Sequence, residues 1–311
     1  MDRLALLLKS YGPDIEYARR LVASCRQFNA DGLRLHCVVP AIDREVFRAV
    51  EGEGVSVVSQ EDLLGEHLVD QGFHGLSAGY INQEIVKLAF WETGLADNYF
   101  CVDSDAVFIR PFSVSDFMHD DDTPFSVLVQ DKELQAEPRY YREHWQGREK
   151  AIRRIMSAVG LDDPIIRTCH GHQVFSARVL RSFRDDFLSP RGWTYADALR
   201  EAPYEFSWYN MWLQKSKVID IHAIEPLVKV FHNEDQHLQF VMSGMSVDDL
   251  ARAYVGVVIN SNYSRAMGPM EITESKPDAL APYLSYGEVG SLLRSKVKDT
   301  WRRRTSGSES G

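Results

Sequence analysis

Asp103 and Asp105 stand one residue apart in NYFCVDSDAVFIRPF, residues 98–112, between two apolar runs. A buried carboxylate without a partner is costly or takes up a proton, and two so close repel each other. Something positive must therefore sit with them. Residues two apart in a strand point to the same side, so both carboxylates can converge on one cation. Hard oxygen ligands suit Mg²⁺ or Mn²⁺, and an ion held by one or two carboxylates completes its shell with water and substrate phosphates. The pair thus points to a diphosphate bound through a divalent ion. The plain alternative is a solvated turn between two short strands.

Such a pair acts only if the surrounding elements deliver it to a cleft. Leu4 to Leu8 reads as a strand, and Ile15, Ala18, Leu21, Val22, Cys25 and Phe28 recur at helical spacing behind Gly12-Pro13. Leu33 to Val39 and Val55 to Val58 are further strands, separated by a helix over Asp43 to Val50, and Ser59 to Asp62 resembles a capping box. A helix from Ile81 to about Thr93 follows the segment GFHGLSAGY, with Gly94 as its C-cap and Gln83 and Lys87 on a face away from Ile81, Ile85 and Leu88. The strand Tyr99 to Val102 then delivers Asp103 at its end. Alternation of this kind predicts an α/β fold, a mostly parallel central sheet with helices on both faces in a single large domain. Ligands on such sheets bind at the carboxyl ends of the strands.

Beyond Pro111 the pattern predicts strands at Phe125 to Val129, Gln173 to Ser176, Val218 to Ile221, Val228 to Phe231 and Tyr254 to Ile259. Helices are expected over 138–160, from Ser176 through Phe187 and after Ser246, and this half is expected to complete the same sheet. The division expected is 1–112 as the nucleotide-binding half ending in the aspartate motif, 113–287 as the acceptor-side half of the same domain, and 288–311 as a basic helix and tail.

The order of these features resembles a known family. A nucleotide-binding α/β half, a helix carrying Lys87, and apolar-Asp103-Ser104-Asp105-apolar-Arg110-Pro111 are similar to the GT-A (Rossmann-type) fold of nucleotide-sugar glycosyltransferases, in particular to an uncharacterised bacterial glycosyltransferase-like group. The resemblance covers about residues 1–260, and the aspartate motif is its specific part. It implies Mn²⁺ or Mg²⁺ on Asp103 and Asp105, a nucleotide-sugar donor, most readily a UDP-sugar, and a glycan or lipid-linked saccharide acceptor. It further implies donor contacts from Ser10 and Tyr11 after the first strand, from Ser104, and from Gly171, His172 and Gln173. A later histidine joins the metal in that family; His232 after LVKVF fits, with His222 as its rival. Lys87 reads as a point charge for the diphosphate or donor sugar, against a default of a solvated helix lysine.

Glu205 lies in YEFSWYNMWL among aromatic side chains of the kind that stack on sugars, and a carboxylate there can act as the catalytic base. The alternative is a core helix whose first turn carries Glu205. Asp220 is a reserve carboxylate; the run HDDD at 119–122 reads as a solvated loop, and the arginines of 139–154 carry no assigned chemistry.

Composition narrows the rest. A net charge of −10 in 311 residues argues against general nucleic-acid binding. Cys25, Cys37, Cys101 and Cys169 show no paired spacing, so neither a disulfide framework nor structural zinc is expected, and Cys169-His170-Gly171-His172 alone makes a poor soft-metal site. With no bilayer-length apolar run, a cytoplasmic protein is expected. From Val289 a basic amphipathic helix with Trp301 can either lie peripherally on the inner face of a membrane or pack on the domain. Two rival functions stay open. One is a haloacid-dehalogenase-like phosphohydrolase with Asp103 as nucleophile, which needs a later acidic pair at a strand end. The other is a non-catalytic sugar- or nucleotide-binding module.

Overall fold

The computed structural model describes residues 2–128, 138–162, 171–232 and 245–261, with single positions 236, 240, 243 and 294. Cys169, His170 and, apart from Arg294, the helix expected from Val289 lie outside the described residues. The chain groups into two compact units, one of 1–106 with 111–227 and one of 107–110 with 228–311, so the first unit spans both sides of residue 112.

Among the described residues ten strands follow in order: β1 (Ala5–Lys9), β2 (Leu35–Val39), β3 (Val55–Ser59), β4 (Asn98–Val102), β5 (Ala106–Phe108), β6 (Phe125–Val127), β7 (Val174–Ser176), β8 (His222–Ile224), β9 (Val228–Phe231) and β10 (Gly256–Ile259). Between the first four lie α1 (Ile15–Phe28), α2 (Arg44–Phe47), α3 (Gln60–Leu64) and α4 (Ala78–Ala89). The architecture is α/β, and the central sheet has the order β3-β2-β1-β4-β7. Its first four strands are parallel and β7 runs antiparallel to β4.

Local chemistry explains these elements. β1, β2 and β4 are buried at every residue, which is why they read as unbroken apolar runs rather than alternating ones. Ser59 Oγ accepts the Asp62 amide at 3.0 Å and starts α3, and Gly94, at φ 66°, ends the tightened turn Phe90–Thr93 after α4. One face of the sheet, with Leu7, Val38, Tyr99 and Cys101, packs on Ile81, Ile85 and Leu88 of α4 and on Phe206, Trp208 and Tyr209 of the Glu205–Ser216 helix. On the other face Phe100 meets Phe117, ring centroids 4.7 Å apart.

The chain builds from β1 to β3 in one direction and returns to the far side of β1 with β4. On open α/β sheets such a reversal of strand order, at the carboxyl ends of the strands, is where ligands bind. Ser104 Oγ donates to Asp14 Oδ2 at 3.0 Å and ties the loops leaving β1 and β4 together. The loops after β1, β2 and β3 are tied in series: Asp43 Oδ2 accepts the Gly12 amide and Glu61 Oε2 the Ala41 amide, each at 2.8 Å.

The second half departs from expectation. Among the described residues β7 alone of the later strands joins the central sheet; β6 pairs with β8, and β5, β10 and β9 form a three-stranded sheet. The strand expected at Val218 to Ile221 forms instead at His222–Ile224, where register with Phe125 to Val127 provides its hydrogen bonds. The residues before it are used to leave the preceding helix through Lys217 at φ 49° and to bury Ile219. In the second unit Phe231, Phe240, Leu250, Val257 and Ile259 form a small core, and Ser246 caps the Val247–Ala251 helix as its sequence implies. Among the described residues no helix is long and apolar enough to cross a membrane.

Gly72 occupies a close approach. A Cβ there would run into the carbonyl oxygen of Leu76, in the turn that leads to α4. Gly72→Ala is therefore expected to cost about 1–3 kcal/mol through backbone displacement, read as a lower urea midpoint; an unchanged midpoint would show that the turn yields freely.

Candidate functional site

β4 ends at Val102, so Asp103 emerges at the carboxyl edge of the sheet with its side chain 34% exposed. Lys87 Nζ donates to Asp103 Oδ1 at 3.3 Å and to Glu205 Oε1 at 3.0 Å. The face of the Phe206 ring lies 4.7 Å from the same ammonium, and His172 Nε2 lies 3.5 Å from Asp103 Oδ2. Four residues named from sequence, Lys87, Asp103, His172 and Glu205, thus form one cluster. Lys87 is 4% exposed rather than solvated, because the Tyr195–Glu201 and Glu205–Ser216 helices pack on α4.

The electrostatics follow from that burial. Burial alone would pull the Lys87 pKa down, but the charges of Asp103 and Glu84 outweigh it and hold it above its ordinary value. Glu84 sits one turn before Lys87 and is also buried; burial lifts its pKa to about 7, with Lys87 opposing and Asp103 adding to the rise. Its Oε2 accepts the Glu205 amide at 3.3 Å, at the positive end of the Glu205–Ser216 helix. Tyr80 is raised as well, first by the Glu84 charge and then by burial.

The remaining candidates are distributed around this centre. Ser10 is buried at the end of β1, with an Oγ that has no hydrogen-bond partner among the described residues, and Tyr11 is exposed beside it. Ser104 is buried on Asp14. Gly171 passes the Phe206 ring so closely that a Cβ would lie 3.2 Å from it. Gln173 is buried where its carbonyl accepts the Cys101 amide at 3.0 Å, and neither side-chain amide atom has a partner among the described residues. Asp105 is half-buried in the turn between β4 and β5. His232 belongs to the second unit, at the end of β9, where its amide donates to Gln236 Oε1 at 2.7 Å. His222 stacks on His119, centroids 3.5 Å apart.

A model of a family of unknown function, DUF6492, matches residues 4–250. The chain belongs to the DUF6492 family. No curated protein matches the sequence. Among solved structures, the apo crystal structure of mouse xyloside xylosyltransferase 1 is similar at 11% identity and a TM-score of 0.42, covering 83% of this chain and 98% of that one. At that identity and score the likeness assigns no activity.

In this DUF6492 chain the cluster revises several expectations. The positive charge that Asp103 demands is provided by Lys87, with His172 at its second oxygen, and among the described residues no group of three or more His, Cys, Asp or Glu side chains is arranged to hold a metal. A divalent ion held by one or two carboxylates completes its shell with water and substrate phosphate oxygens, so Asp103 and Asp105 are the residues that would hold one. Glu205 is ion-paired and 4% exposed, so it is closed to an incoming hydroxyl. Its aromatic neighbours Phe206, Trp208, Tyr209 and Trp212 are core residues rather than sugar platforms. The acidic pairs Asp185-Asp186 and Asp248-Asp249 both lie on helical turns, not at a strand end as the phosphohydrolase reading requires.

Sequence reasoning missed Glu84, Lys9 and Asp14. A signal existed for Glu84, three residues before Lys87 and therefore its neighbour on a helix. Lys9, at the end of an apolar strand, carried the same signal that drew attention to Asp103.

Proposed function

We propose that this chain is a glycosyltransferase that takes a sugar from a nucleotide-sugar donor, a UDP-sugar in the simplest case, and passes it to a saccharide acceptor. The observation that carries the reading is the cluster at the carboxyl end of β4, where a partly exposed Asp103 is held by a buried lysine that a second, fully buried carboxylate holds in turn. Asp103 is the member that meets substrate. Its carboxylate accepts a hydrogen bond from a sugar or acceptor hydroxyl and takes its proton, the role expected of Glu205 from its aromatic surroundings. Lys87 fixes its orientation, and Glu205 is a positioning residue that keeps Lys87 in place. Ser10 and Tyr11 face the nucleotide from the end of β1, and His172 and Gln173 face the sugar.

The test is a panel of nucleoside diphosphate sugars with release of the nucleoside diphosphate as readout, run for the wild type and Asp103→Asn. At least one donor is expected to turn over, with a loss of about 10²–10⁴-fold in the variant. Absence of both binding and turnover across the panel would sink the reading. Phosphate release from simple phosphate esters, abolished in Asp103→Asn, would replace it with the phosphohydrolase.

A further inference from the structure

Lys9 poses a charge problem that the cluster around Lys87 does not solve. It ends β1, the middle strand of the central sheet, on the face that carries Leu7, and it is 6% exposed. An ammonium has three hydrogens to donate, and Nζ gives one to the Ser10 carbonyl at 2.9 Å. The titratable groups that face it are the buried, protonated Cys37 thiol on β2, Glu61 on α3, Asp43 in the turn before α2 and Lys87 on α4. Neither carboxylate forms an ion pair with it; Asp43 and Glu61 are spent on the amides of Gly12 and Ala41. Burial without a paired counter-ion pulls its pKa down to about 8, with the carboxylates of Glu61 and Asp43 opposing and Lys87 adding to the fall. Next to it Ser10 Oγ is buried with no partner among the described residues. A buried cation with unused donors beside an unused hydroxyl, at the carboxyl edge of the sheet, lacks an anionic oxygen ligand.

We propose that Lys9 and Ser10 form an anion subsite that receives phosphate oxygens of a pyrophosphate-bearing ligand entering at the carboxyl end of β1. The inference deepens the glycosyltransferase reading and rests on it for the donor's identity, but the subsite itself needs no sugar transfer. Binding an anion restores a counter-charge, so Lys9 takes up a proton when the ligand arrives near pH 8, and affinity falls as pH rises above that value.

The experiment is calorimetric titration with inorganic pyrophosphate in EDTA at pH 8, in two buffers of different ionisation enthalpy. The wild type is expected to take up about half a proton more on binding than Lys9→Arg, since the pyrophosphate's own titration is common to both. Lys9→Arg keeps the binding without that extra uptake, because its guanidinium does not titrate there. Lys9→Met binds at least tenfold more weakly while melting at or above the wild-type temperature, since it removes a buried charge without a partner. A wild type that ignores pyrophosphate, or a Lys9→Met variant that binds it equally well, overturns the subsite. Sugar transfer by Lys9→Met at the wild-type KM also overturns it and leaves the transferase standing. Pyrophosphate binding with proton uptake in a protein that transfers no sugar does the reverse.

Discussion

Lys87→Met is expected to lower stability by about 3–5 kcal/mol, a large share of what holds a domain of this size together. The substitution keeps the length and apolar stem of the side chain and deletes only the charge. What remains is Glu205, 4% exposed, with its Oε1 where the ammonium stood 3.0 Å away. A carboxylate stranded in a site closed to water pays its desolvation with nothing in return. The Asp103 arm matters less to stability, because that side chain is 34% exposed and water can replace Lys87 there. Glu205→Gln alone therefore costs less than Lys87→Met, and the double variant Lys87→Met/Glu205→Gln recovers much of the loss. The coupling is expected to exceed about 1 kcal/mol, as for residues in direct contact. Urea midpoints of the four proteins give it directly. Equal midpoints for the wild type and Lys87→Met would remove this pair from the list of things that hold the fold.

That hierarchy could be read from sequence only in part. The strands β1, β2 and β4, the cap at Ser59 and the stop at Gly94 are set by residues within a few positions of one another, so their spacing announces them. Asp103 was legible for the same reason: two carboxylates at the end of an apolar strand are a local contradiction. Its partner was not. Lys87 and Glu205 are 118 residues apart, and helical periodicity assigns Lys87 to a face that would be wet if α4 were covered only by the sheet. Two later helices pack on α4 and cover it, which no pattern within Ala78–Ala89 encodes. The aromatic segment misled for a related reason. Trp208 and Tyr209 look like sugar platforms when taken alone, yet the Glu205–Ser216 helix is enclosed by the sheet and its neighbours, so they are buried in the core. β8 formed a few residues late because pairing with β6, not local β-propensity, decides where a two-stranded sheet begins.

Glu84→Gln is expected to stabilise the protein at pH 8 and to do little at pH 5. The folded state holds a proton on Glu84 up to about pH 7, whereas an ordinary glutamate loses it near 4.5. Between those values the folded chain binds more protons than the unfolded one, so stability falls as pH rises, by up to about 1.4 kcal/mol per unit. Below 4.5 both states are protonated and the penalty vanishes; above 7 it is complete, on the order of 3 kcal/mol. Glutamine mimics the protonated acid and can still accept the Glu205 amide through its carbonyl oxygen. The difference between variant and wild-type urea midpoints, taken at pH 5, 6, 7 and 8, cancels the titrations that do not couple to Glu84. A difference that stays flat over that range would show that Glu84 does not titrate within it. A growing one would confirm the charge count around Lys87: Glu84, Asp103 and Glu205 share a single ammonium, and the member farthest from solvent gives up its charge first.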